Sequence, residues 1–178
     1  KYEKLIDIKI TFPEEVEERN VVFEKGLLHN QYQKKSEYEL DEKGKVSFFK
    51  KNRNNQVNIW ALIDITDMDR NDVLLLNDKF AEFWINEMSR EEKKNDIRFT
   101  FVIQVDEIND YLQEIFYESQ GIFMDKHRSR LPVLYVRKHD ILKVKWADDN
   151  SKYISINKEM RKELKKIYDD SEIESINS

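Results

Sequence analysis

The sequence predicts an α/β fold in which a mixed central sheet carries helices on both faces. Three observations point there. Val57–Ile65 is almost continuously apolar, the mark of a strand buried on both faces, and Ile97–Val105 reads as another buried strand. Each is followed by a segment whose apolar residues recur at helical spacing. Strand–helix–strand units pair their strands in parallel through a right-handed crossover, while hairpin patterns nearer the two ends supply antiparallel strands.

The elements follow in order. Leu5–Phe12 alternates apolar and polar residues, the period of a half-buried strand. Glu14–Glu18 is a solvated charge run. Glu37–Lys50 has a hairpin pattern with Gly44 available for its turn, and Lys50–Gln56 reads as a polar connector. After the buried strand Val57–Ile65, a helix is expected from about Asp72 to Ser89, with Leu76, Phe80, Phe83, Trp84 and Met88 on one stripe. The strand Ile97–Val105 precedes a second amphipathic helix over Ile108–Gly121. Ile108, Tyr111, Leu112, Ile115 and Phe116 line its apolar face, and Gly121 suits its C-terminal cap. A hairpin follows over Val133–Arg137 and Ile141–Trp146. Asn157–Asp170 closes the fold as a helix with Asn157 as N-cap and Met160, Leu164 and Ile167 as its stripe. Residues 1–170 are therefore read as one domain, with an N-terminal strand and extension over 1–36 and a core over 37–168. Residues 171–178 are read as a frayed tail.

Composition narrows the function classes. The 178 residues suffice for one sizeable core, and two domains would each be small. With 38% charged residues and a net charge of −5, no apolar run approaches the length of a membrane span. The chain begins at Lys1, which leaves room for a leader, or for a lipid or membrane anchor, trimmed from its start. Cysteine is absent, which removes disulfides, thiolate nucleophiles and Cys-based metal sites. Three scattered histidines suggest no metal pair, and no cofactor motif is present.

Several stretches resemble thioredoxin-like domains of the extracytoplasmic thiol–disulfide oxidoreductase and peroxiredoxin type. "VNIWA" (Val57–Ala61) is similar to the family's "VNFWA" strand. "YELDEKGKVSFF" (Tyr38–Phe49) is similar to its N-terminal hairpin, although one residue shorter between the Lys and the Val. "RLPVLYVRKHDILKV" (Arg130–Val144) is similar to the segment bearing its cis-proline. The likeness runs from about Glu37 to Tyr168. It implies a three-layer α/β/α sandwich with an N-terminal β-hairpin extension. It also implies a cis Leu131–Pro132 bond opposite the start of the first helix, with the Leu131 backbone open to an extended peptide. The bland alternative is a trans-proline opening an edge strand, where no N–H is needed. Where the family's Cys-x-x-Cys belongs, near Asp64–Asp67, this chain has "DITD". A carboxylate cannot replace the attacking thiolate. The resemblance therefore implies a redox-inactive protein- or peptide-binding module or scaffold, located in the periplasm or cell envelope. Its groove would be formed by Asp64, Asp67, Arg128, Arg130, Leu131 and Pro132.

Other motifs compete with that reading. Asp64, Asp67, Asp69 and Asp72 form a carboxylate cluster that a metal-dependent enzyme could use. Asp67, Asp69 and Asn71 match the first ligand positions of a calcium loop, but Asp72 stands where that loop needs glycine. The stretch also resembles the metal-binding strand of nucleotide cyclases, whose glycine-rich acidic hairpin is missing. Acids at a helix start that offset its positive end are the simpler reading. Residues 126–145 carry seven Lys or Arg and one Asp. That patch reads as the wet face of a hairpin, with Arg128 and Arg130 set aside for the groove. No aromatic residues interleave for base stacking, which disfavours nucleic acid. His127 with Ser129 reads as loop polarity, and Trp60, Trp84 and Trp146 as packing. A structural subunit of a larger assembly is the third class.

Overall fold

The structure, a computed structural model, describes residues 3–9, 22–118, 127–139, 141–147 and 154–177. Among these, seven strands form one sheet: β1 (Glu3–Lys9), β2 (Gln33–Leu40), β3 (Gly44–Arg53), β4 (Gln56–Ile65), β5 (Asp96–Val105), β6 (Arg128–Val136) and β7 (Ile141–Ala147). Four α-helices accompany them: α1 (Val22–His29), α2 (Arg70–Glu87), α3 (Asp110–Glu118) and α4 (Ile154–Asn177). The strand order is β1-β7-β6-β5-β4-β3-β2. β4, β5 and β6 run parallel, and every other neighbouring pair is antiparallel.

The α/β class and the mixed sheet follow the sequence expectation. β4 is buried along almost its whole length because it pairs on both edges and is covered on both faces. The crossovers through α2 and α3 move the same way across the sheet, so one handedness puts both helices on one face. There Leu76 and Phe83 of α2, Met88 at its C-cap, and Leu112 and Phe116 of α3 pack on Phe48, Ile63 and Val105. On the other face Phe23 and Leu27 of α1 and Met160, Leu164 and Ile167 of α4 cover Trp60, Val102, Leu131 and Tyr135. The layers are helices, sheet, helices.

Local chemistry sets the boundaries. Asp69 caps α2: its carboxylate accepts from the Asp72 N–H at 3.0 Å, and Asp72 returns the bond to the Asp69 N–H at 2.9 Å. This reciprocal box satisfies two donors of the first turn. Asn109 caps α3 with a single bond, accepting from the Leu112 N–H at 2.7 Å, while its amide donates to the Met68 carbonyl at 2.8 Å. Lys50 closes the far end of α2, donating to the Glu87 carbonyl at 2.6 Å and pairing with Glu92 at 2.8 Å.

Several expectations are corrected. Gly44 does not make the turn; it opens β3, and a Cβ there would come within 1.9 Å of the Asp64 carbonyl oxygen. The turn uses Asp41 at φ 53° instead. The Lys50–Gln56 connector is strand to Arg53 and again from Gln56, joined through Asn54 at φ 47°. α1 was not foreseen. α4 starts before Asn157, which is fully buried inside it rather than capping it, and runs on to Asn177 through the segment expected to fray. Gly121 lies outside the described residues.

The proline differs most. No cis peptide bond occurs among the described residues, so Leu131–Pro132 is trans. Pro132 sits inside β6, in register with Phe101 of β5. The β6–β7 ladder stops at Val133↔Val144. The N–H that proline lacks thus falls where β6 has no partner on its β7 side, as the missing donor requires.

Phe48 lies at the centre of the α2 face, stacked on Phe83 at 4.5 Å and edge-on to Phe80 at 5.4 Å. Phe48→Ala is expected to cost about 3–5 kcal/mol. Ile85→Ala, at a residue 71% exposed, should stay within about 0.5 kcal/mol. Urea unfolding midpoints at constant slope measure both.

Candidate functional site

The parallel register separates the expected groove residues. Arg128 is level with Ile97 of β5 and Val57 of β4. Asp64 lies seven residues further along β4, about 23 Å away at roughly 3.3 Å per residue. Asp64 and Asp67 are therefore at the C-terminal end of the parallel strands, and Arg128 and Arg130 at the N-terminal end. Strand alternation divides the set again. Arg128, Arg130 and Pro132 share the α2–α3 face, whereas Leu131 is fully buried on the α1–α4 face. The Leu131 backbone is in register with Thr100 of β5 on one side, and on the other it lies beyond the last β6–β7 pair, Val133↔Val144.

The acids at the C-terminal end are engaged by buried or half-buried cations. Arg137, 8% exposed, pairs with Asp64, with Asp106 at 3.2 Å and with the Ile65 carbonyl at 3.2 Å. It joins the ends of β4, β5 and β6. Burial pushes the guanidinium pKa down, but two adjoining carboxylates keep it charged. Lys43 reaches Asp67 at 2.5 Å and Asp72 at 2.6 Å, with Asp69 at 3.9 Å. Hydrogen bonds to Asp67 and then Asp72 raise its ammonium pKa well above the ordinary range. The Asp72 N–H, donating to Asp69, helps hold that capping carboxyl below its usual value. The four aspartates are thus a helix cap and two cation clamps. Among the described residues no group of three or more acidic, His or Cys side chains is arranged to hold a metal ion.

A second polar cluster lies under α4. Glu163 accepts from Trp60 Nε1 at 3.3 Å and Asn58 Nδ2 at 3.4 Å, and pairs with Arg53 at 3.3 Å. Burial pushes its carboxyl up to about 7, against the opposing pull of Lys166.

A larger concave feature lies on the other face. A cavity of about 510 Å³ lies between α2, α3 and the β4–β5–β6 strands. Phe80 and Trp84 of α2, Phe99 and Phe101 of β5, and Ile115 and Phe116 of α3 form much of its wall. It runs from Met68 and Ile103 at one end to Ile97 and Arg128 at the other, and Arg130, Ser129 and Pro132 contribute to it. Three of the six expected site residues therefore line one cavity: Arg128, Arg130 and Pro132. The aromatic wall has no signature of its own in the sequence, where Phe80, Trp84, Ile115 and Phe116 read as the apolar stripes of two helices. Trp84, assigned to packing, faces the cavity and has the Arg128 guanidinium 5.4 Å and the Lys93 ammonium 5.7 Å from its ring centre. Trp146 has no described side chain. His127 is paired with Asp96 at 2.9 Å. No family model, curated protein or solved structure matches the chain.

Two measurements follow from the clamps. Lys43→Met leaves the buried Asp72 with only its capping bonds and should cost about 1–3 kcal/mol. Wild-type melting temperature should not move at millimolar Mg²⁺, Mn²⁺ or Ca²⁺, since a ligand bound only to the native state would raise it. Glu163 binds its proton more tightly folded than unfolded, where the ordinary value of 4.5 applies. Its protonation therefore adds stability that is complete below about pH 4.5 and lost as pH rises through about 7. The expected fall is up to about 3 kcal/mol, absent in Glu163→Gln, in unfolding curves collected across that range.

Proposed function

We propose that the chain is a redox-inactive binding module that takes the apolar part of a partner molecule into the cavity between α2, α3 and the sheet. The single observation that carries this is the cavity itself: about 510 Å³, walled by aromatic and aliphatic side chains, with a few polar groups at one end. Ligand sites have this size and make-up. A folded core is otherwise packed to crystal density, so a gap of this volume beside six aromatic rings needs a reason.

The absence of cysteine supports the redox-inactive part. The thioredoxin-like assignment and an extracytoplasmic location belong to the same proposal and rest on the sequence resemblance alone. A protein or peptide partner fits in a narrower form than the sequence suggested. It would insert one or two apolar side chains between the helices rather than add a strand at Leu131. Fold class by itself does not give function, and the reading stands on the site.

The test is direct. n-Octanol should bind with heat detectable by calorimetry and shift the emission of Trp84, a signal absent in Trp84→Phe. Ala81→Trp places a large ring at the exposed rim of the cavity and should reduce that binding at least tenfold with little change in melting temperature. Octanol binding unaffected by Ala81→Trp would move the site elsewhere.

A further inference from the structure

The α1–α4 face of the sheet is closed over its middle by apolar side chains, but it turns polar toward the N-terminal ends of β4 and β5. Arg98 of β5 is level with Asn58 of β4, and Thr100 stands two residues on, toward the same face. Asn58, Thr100 and Glu163 join Arg98 in lining a pocket of about 10 Å³ under α4, room for one guest of atomic size. Arg98 is only 9% exposed, and its Nε and Nη1 are buried without a hydrogen-bond partner. Among the described residues it makes no ion pair either. Two carboxyl groups line the same pocket. Glu163 is engaged by Trp60, Asn58 and Arg53, and Glu159 is exposed at its edge.

We propose that this pocket binds one small monovalent inorganic anion, of the size and charge of chloride, held by the Arg98 guanidinium with the Thr100 hydroxyl beside it. The site lies on the opposite face from the cavity and is independent of the reading of the cavity. A guanidinium only donates and cannot lose its proton in a protein. Buried without a counter-charge it is costly. A water molecule would answer its N–H groups but not its charge, whereas an anion answers both, through bonds about twice as strong as neutral ones. The pocket is too small for a carboxylate or a phosphate. Glu163 does not stand against an anion in mild acid, since burial pushes its carboxyl up to about 7 and it is mostly neutral at pH 6. The further charges beside Glu163 are the cations Arg53 and Lys166.

The experiment is thermal melting of the full chain at pH 6 in sodium gluconate, whose anion is too large for the pocket. Chloride then replaces gluconate stepwise at constant ionic strength. Melting temperature should rise along a saturating curve, by about 3 °C or more once chloride is tenfold above its dissociation constant. The chlorine-35 resonance of the medium should broaden in the presence of the protein. Arg98→Met removes the buried charge and keeps an apolar side chain. It should melt in gluconate no lower than the wild type, which shows that it folds, and should lose both the chloride response and the broadening. Thr100→Val should weaken chloride binding at least threefold. Equal melting in chloride and gluconate, or a chloride response that persists in Arg98→Met, would overturn the inference. A response present in Glu159→Gln but not in the wild type would make Glu159 the counter-charge of Arg98 and overturn it as well. Should Arg98→Met fail to fold, Thr100→Val decides, and unchanged chloride affinity there rejects the site.

Discussion

β4 and β5 are buried on both sides, and that requirement for double cover organises the whole chain. A strand of this kind is stable only in the middle of a sheet with a layer above and a layer below. α1 and α4 meet the need on one face, closing over Trp60, Val102 and Leu131. α2 and α3 meet it on the other, but each follows its own strand and is positioned by its own cap, Asp69 and Asn109. Nothing in either cap forces the two helices to meet along their length. The space left between them is the cavity, so the site is a product of how the sheet is covered rather than of a dedicated loop.

The charges divide into two populations with different work. At the C-terminal end of the parallel strands, Arg137 and Lys43 hold four carboxylates in fixed pairs. α/β proteins commonly bind ligands at that end, but here it is stapled, and the staples join β4, β5, β6 and the start of α2. At the opposite end, Arg128 and Lys93 stand over the Trp84 ring. The same residue types thus serve as internal ties at one end and as a charged rim at the other.

What the sequence revealed and what it concealed have physical reasons. β4 was legible because burial on two faces leaves a nearly continuous apolar run, and β5 because Ile97, Phe99, Phe101, Ile103 and Val105 make one of its faces wholly apolar. α2 was legible because its stripe repeats over four turns. α1 was not, since its eight residues supply Phe23 and Leu27 as the buried pair around Gly26. The polar end of β3 reads as a loop because Lys50 and Lys51 put their ammonium groups on α2 and α1 neighbours, contacts invisible along the chain. Asp64 and Asp67 looked available because their cations come from 73 and 24 positions away (137 less 64, 67 less 43). Leu131 and Pro132 are adjacent, and a strand's alternation sends neighbours to opposite faces. That split was readable once Arg128–Val136 is seen as one strand. The cavity lies between segments distant in sequence, and a gap leaves no pattern.

Among the described residues β2 ends the sheet on one side, with a row of backbone groups facing outward. Such a border invites another chain to extend it, the first step toward fibrils. Here the strand reads Gln33–Leu40 with adjacent lysines, its register breaks between Lys34 and Ser36, and Lys34 is tied to Glu24 of α1 at 3.2 Å. A broken, charged and tethered border is a poor template. The consequence concerns quality control rather than recognition: the charges of Lys34 and Lys35 and the break in register stand against edge-to-edge growth of the sheet at this border.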